Sequence, residues 1–259
     1  MTRRPLILFA TVGLLALGAC GPLNTSSGEL NNGRFSYLCV DSSDAACGDF
    51  AGSASMPTLI AVGGAFGIEY TGETVEGDPV QVVPASDKMM TGASGSFRLL
   101  RPGVSAALAR STSGSVADFV HLQGALIDHL DVGGPSSTTA VTAVQMDTDN
   151  GVDLQVTPKD DLGTSLAGAF PYTWSSSDAT VLSFDAQDRR NRVKLIAFKP
   201  GKVTVEVSLP GGAKSAVVVT VKQGTNTSSG TGGEGGAGSS ASSSGTGSSS
   251  GAGGAGGGQ

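Results

Sequence analysis

Aromatic residues are scarce in this chain: one Trp, three Tyr and nine Phe among 259 residues. A surface that stacks rings on sugars or bases has few side chains to draw on. Histidine is scarcer still, with two copies, and no Gly-x-Ser-x-Gly in a strand-to-helix setting accompanies them, so a hydrolase triad has no sequence support. Basic residues are outnumbered, 16 Lys and Arg against 22 Asp and Glu. An acidic balance argues against nucleic acid and anionic lipid headgroups as partners, since both require a basic patch. Helical periods are missing beyond the N-terminus, and Ser105 to Arg110, although alanine-rich, is too short to stand as a helix. Only three cysteines are present, Cys20, Cys39 and Cys47.

What is present begins with a leader. Arg3 and Arg4 precede an uncharged run from Leu6 to Ala19, the build of a secretory signal. That run falls short of the roughly 20 apolar residues a permanent membrane helix needs. Leu17-Gly18-Ala19-Cys20 resembles the lipobox of bacterial lipoproteins. The resemblance implies cleavage after residue 19 and lipidation of Cys20 with diacylglycerol and palmitate. Each buried methylene would contribute about 0.8 kcal/mol to anchorage in a membrane. Gly21 in place of Asp points, by the same analogy, to the outer membrane. Arg3-Arg4 is similar to a twin-arginine signal, but Pro5 and the short basic region favour the general export route.

Loss of residues 1–19 leaves a side-chain balance of 14 − 22 = −8. Cys39 and Cys47 then remain as a pair in an exported chain, where disulfides persist, and they are expected to be bridged. Such a bridge closes a short loop and contributes roughly 2.5 kcal/mol in the loop-entropy treatment. Residues 20–33 read as a polar tether. Residues 224–259 hold 15 Gly and 10 Ser with Glu234 as the only charge, a composition that cannot build a core.

Between these ends the pattern is strand. Val203, Val205 and Val207 alternate with polar neighbours, as do Val152, Leu154 and Val156, and Val217, Val219 and Val221. Leu209 to Ala213 has the Pro and Gly content of a hairpin turn. Phe97-Arg98-Leu99-Leu100-Arg101-Pro102-Gly103 is echoed by Leu195-Ile196-Ala197-Phe198-Lys199-Pro200-Gly201, and Ala85-Ser86-Asp87 by Ser176-Ser177-Asp178. This internal repeat predicts an all-β chain of two tandem sandwiches, over 34–124 and 125–222, followed by a Gly/Ser-rich tail over 223–259.

Tyr172-Thr173-Trp174-Ser175-Ser176-Ser177-Asp178, Val181 to Phe184 and Lys199-Pro200-Gly201 with the alternating strand after it form an ordered series. Over residues 139–222 that series resembles the bacterial immunoglobulin-like group 2 family. Over 57–124 the resemblance is loose, and the Trp has no counterpart. The family implies a sandwich found in adhesins, surface-layer proteins and modular secreted proteins, with no enzymatic activity of its own and Trp174 in the core.

Few residues offer chemistry. Asp147, Asp149 and Asp153 surround Asn150-Gly151 and could collect Ca²⁺, yet the EF-hand order of ligands fails at Gly151 and lacks the closing Glu. Asn-Gly more often marks a type I′ hairpin. Asp118 lies near His121, and Asp160 beside Asp161, without a nucleophile to serve. Val62-Gly63-Gly64-Ala65 precedes no helix and is no phosphate loop. The expectation is a protein with no catalytic residues, no metal and no cofactor. It would be held to a membrane through Cys20 and bind an extracellular protein or glycan, or else act as a spacer in the envelope.

Overall fold

The structure is a computed structural model that describes residues 25–47, 53–72, 77–93, 95–135, 137, 139–185 and 190–224. Cys20, the leader and the Gly/Ser-rich tail lie outside the described residues. The first half is built from β1 (Thr25–Ser27), β2 (Gly33–Leu38), β3 (Ser53–Ala54), β4 (Ile60–Ala61), β5 (Ala65–Gly72), β6 (Val80–Pro84), β7 (Met90–Ala93), β8 (Ser96–Leu99), β9 (Gly103–Ser111) and β10 (Val116–Ala125). The second half contains β11 (His129–Gly133), β12 (Ala143–Asp147), β13 (Val152–Lys159), β14 (Thr173–Ser176), β15 (Leu182–Asp185), β16 (Arg192–Ala197), β17 (Gly201–Ser208) and β18 (Lys214–Lys222). Among the described residues there is no α-helix, and the chain is all-β as expected.

Both halves follow one wiring diagram. In the second, β11-β13-β16-β15 form one sheet and β12-β18-β17-β14 the other, with β12 parallel to β18. In the first, β2-β5-β8-β7 match the former order and β4-β10-β9-β6 the latter, with β4 parallel to β10. Lettered by sequence, each half is A-B-E-D facing A′-G-F-C, the strand arrangement of an immunoglobulin sandwich. The first half adds β1 and β3 beside β2. The repeated motifs fall where this wiring puts them. Phe97–Gly103 and Leu195–Gly201 are the same strand-to-strand crossing between facing sheets, and Ala85–Asp87 and Ser176–Asp178 lie at the C-terminal ends of equivalent strands.

Alternation explains the second core directly. Val203, Val205 and Val207 in β17 and Val217, Val219 and Val221 in β18 are buried, and they meet Leu154, Val156, Leu182 and Leu195 from the opposite sheet. Trp174 packs half-buried on this core, and its indole N–H donates to the Arg190 carbonyl at 3.0 Å. By strand pairing Val82 occupies the equivalent place in the first half, opposite Ala109 as Trp174 lies opposite Val207. The first core draws instead on Phe35, Tyr37, Phe66 and Phe97.

Two expectations need correction. Residues 25–33 are not part of a free tether: β1 pairs with β2, and the turn after it is fastened to β10. Asn150-Gly151 is not a hairpin turn, because β12 and β13 belong to different sheets and the segment carries the chain across the sandwich. Ser105 to Arg110, too short for a helix as read from the sequence, forms the middle of β9, where Ser105, Ala107 and Ala109 are the buried positions. The turn at Leu209–Ala213 is a hairpin as expected, closed by Leu209 N–H to the Ala213 carbonyl at 2.9 Å, with Gly211 and Gly212 at φ 115° and 102°.

The halves are joined by backbone. Ala61 and Ala167 exchange bonds with the opposing strand segments (Ala61 N–H to Ala167 C=O at 2.9 Å, Ala167 N–H to Leu59 C=O at 3.0 Å). Ala65 and Ala169 exchange both of theirs at 3.0 and 2.7 Å. Ala61 consequently packs in the second core and Ala167 in the first.

Candidate binding surface

Cys39 and Cys47 are disulfide-bonded, with Cα atoms 5.8 Å apart. The loop they close encloses Asp44, which is 1% exposed. Its Oδ2 accepts the Tyr37 hydroxyl at 2.6 Å, and its Oδ1 accepts the N–H groups of Ala46 and Gly168, both at 2.9 Å. Burial raises the Asp44 pKa above the ordinary carboxylate value, against the three hydrogen bonds that favour the anion. Tyr172, also buried, keeps its hydroxyl proton to unusually high pH because of burial and the nearby Asp44 charge, and its oxygen has no partner among the described residues. Asp44 therefore ties the disulfide loop of the first sandwich to the second.

Asp118 and Asp160 are likewise engaged by backbone. Asp118 is fully buried and accepts the N–H groups of Leu30 and Asn32 at 2.9 Å and of Phe119 at 2.8 Å. A β-carbon at Gly28 would run into this carboxylate. His121 points away from it to Glu29, 3.1 Å distant on the surface, so the two residues form no relay. Asp118→Ala strands three amides and should lower stability by about 2–3 kcal/mol, measured by urea unfolding, with proteolytic nicking at 28–33. Asp160 accepts from Thr164 and Leu162 in a tight turn. His129 contacts Asp128 and Asp131 on the surface. Among the described residues no group of three metal-ligating side chains comes together, and the Asp147, Asp149 and Asp153 set is not gathered into one. A cleft of about 540 Å³ lies between the disulfide loop and β11–β13. Its floor carries Asp131, Gln155, Thr157 and Lys159, and the Lys159 ammonium is already bonded to Ser165 at 2.9 Å.

The feature that stands out lies on the outside of the first sandwich. Because Ser105, Ala107, Ala109 and Ser111 point inward from β9, Val104, Ala106, Leu108 and Arg110 point outward. Leu108 pairs with Phe119 in β10 on one side and with Val83 in β6 on the other, giving an apolar row across three strands. Val104 extends it, at 60% exposure. Leu30, 49% exposed, stands beside β10 because the Asp118 carboxylate holds its backbone there. The equivalent strand of the second sandwich is an internal control. There Val203, Val205 and Val207 point inward, while Lys202, Thr204, Glu206 and Ser208 point outward. One fold thus carries an apolar outer face in one copy and a polar one in the other.

No protein-family model matches this chain. No curated protein matches it significantly either. Similar solved structures include domains 4 and 5 of the S-layer protein SbsC, 14% identical over 67% of this chain and 86% of that one, with a TM-score of 0.32. A titin tandem of Ig domains is 11% identical over 64% of this chain and 93% of that one, with a TM-score of 0.26. This chain spans about a quarter of the longer SbsC structures, 23% of one and 28% of another. No function is carried over from these likenesses.

Sequence reasoning missed the outer face because its signal is inverted. Small residues fill the inward positions of β9 and larger apolar ones the outward positions, so no polar–apolar alternation marks the strand. It missed Asp44 because the partner amide is 124 residues away.

Proposed function

We propose that this chain is a non-catalytic, lipid-anchored envelope protein, held in the outer membrane through Cys20, whose first sandwich binds protein outside the cytoplasm. The observation that carries the binding reading is the apolar Val83–Leu108–Phe119 row, set against the polar face at the same place in the second sandwich. Isolated exposed apolar residues are ordinary, whereas a contiguous apolar strip marks a contact surface. Its aliphatic character suits protein better than glycan, for Phe119 is its one aromatic residue and the His121 ring already meets it edge-on at 5.5 Å. Residues 34–124, together with the 25–33 segment that pairs with them, and 125–222 act as domains, the second related to the bacterial immunoglobulin-like group 2 family.

The anchor is tested by Cys20→Ala, which should release the protein from membranes and abolish labelling by a fatty-acid probe. Unchanged retention would refute the anchor. Binding is tested by photo-crosslinkers placed at Leu108 and, as control, at Glu206 in intact cells. Adducts are expected from the first site and not from the second, and equal yields would remove the assignment of this face.

A further inference from the structure

We infer that the occupant of this face is a second copy of the same chain, packed face to face about a two-fold axis. The inference rests on the binding reading above and names its partner. A two-fold contact requires a patch complementary to itself. Along the strand direction the Val83–Leu108–Phe119 row lies in the middle. Arg110 stands on one side of it, with its guanidinium bonded to the Gly114 carbonyl at 3.1 Å. The Glu29–His121 pair stands on the other side, because His121 sits opposite Ala106 while Arg110 sits two residues beyond Leu108. An axis lying in the interface and crossing the strands near that row turns one copy end for end over the other. Arg110 of each copy then faces the Glu29 side of its mate, and Leu108 and Phe119 meet their own counterparts. Charges of opposite sign flanking an apolar centre would fix this register and discourage a parallel one.

The size of the face sets the strength. From Val104 to Arg110 the strand runs about 20 Å, and three strands with the Leu30 turn span roughly 20 Å across. The resulting ~400 Å² is about half of what one partner contributes to a standard interface. Association should accordingly be weak in dilute solution and pronounced where chains are crowded on a surface, since confinement raises effective concentration.

The test uses the full chain released by Cys20→Ala, followed by sedimentation velocity over roughly 10–300 µM, the range expected of a small interface. The weight-average mass should climb toward twice that of the monomer. Leu108→Glu should hold it at the monomer value with an unchanged thermal midpoint. Arg110→Glu should weaken association at least about tenfold, the effect of losing two facing charge pairs per dimer, and adding Glu29→Arg should restore it. A monomer at every concentration, association indifferent to Leu108→Glu, or failure of the charge swap to rescue would overturn the dimer. If the chain is monomeric while Leu108 still crosslinks to a different envelope protein, the second copy is refuted and the binding reading survives. If neither occurs, both fall.

Discussion

Replacing Asp44 with alanine should cost about 3–5 kcal/mol of stability, read by urea or thermal unfolding. The magnitude follows from what the carboxylate holds. Tyr37 is wholly buried in the first core, so its hydroxyl cannot turn to water once Oδ2 is gone. The Ala46 and Gly168 amides lose Oδ1 together, and a buried donor left without an acceptor costs about 1–3 kcal/mol. Relief of a buried charge offsets part of this. Asp44→Asn is the informative partner. Its Oδ1 still receives both amides, and its Nδ2 can donate to the Tyr37 oxygen, so the loss should be only about 1 kcal/mol.

The same pair yields a pH dependence with a definite sign. Burial raises the folded-state pKa of Asp44 above its ordinary 3.8, while Asp41 nearby adds a smaller push in the same direction. The folded form then holds the proton more tightly than the unfolded chain does. Its contribution is present in full below pH 3.8 and is lost as pH rises through the raised value. Wild type should therefore lose ground to Asp44→Asn on going from acid towards neutral pH. A stability difference that stays constant across that range would show the carboxylate to be unperturbed.

How far the sequence discloses this architecture depends on where each contact closes. β13, β17 and β18 are legible because one face meets the core and the other meets water, and the echoed Pro-Gly motifs locate the same crossing in both halves. β1 is not legible, because Thr25–Ser27 is polar throughout and owes its place to β2 and to the turn that Asp118 fastens from nearly ninety residues away. Cys39 and Cys47 are legible as a pair from compartment and count, but the enclosed Asp44 is not, since nothing local marks one buried Asp among the several in that stretch. The candidate surface is hidden for a different reason. β9 is lined with small residues on its inner side, so hydrophobicity alone assigns it to neither face, and only the strand pairing shows that Leu108 looks outward.

The junction between the sandwiches supplies the other large effect. Gly168 adopts φ +115°, a conformation that a residue with a β-carbon holds only under strain of about 1–3 kcal/mol. A β-carbon there would also stand 3.2 Å from the Cα of Gly64, which is backbone and part of the same close approach. Gly168→Val should therefore cost about 3–5 kcal/mol, strain and displacement together, and lower the thermal midpoint by roughly 2–4 °C for each kcal/mol. Its second consequence is specific to the junction. Gly168 donates to Asp44 and lies between Ala167 and Ala169, whose backbone bonds knit the two sandwiches together. Wild type should unfold in one calorimetric transition across both cores. Once that strip is pushed away from Gly64, the sandwiches lose the contact that makes them melt together, and the trace should split in two. A variant that lost stability yet kept a single transition would place the coupling elsewhere, in the short connection from Ala125 to His129.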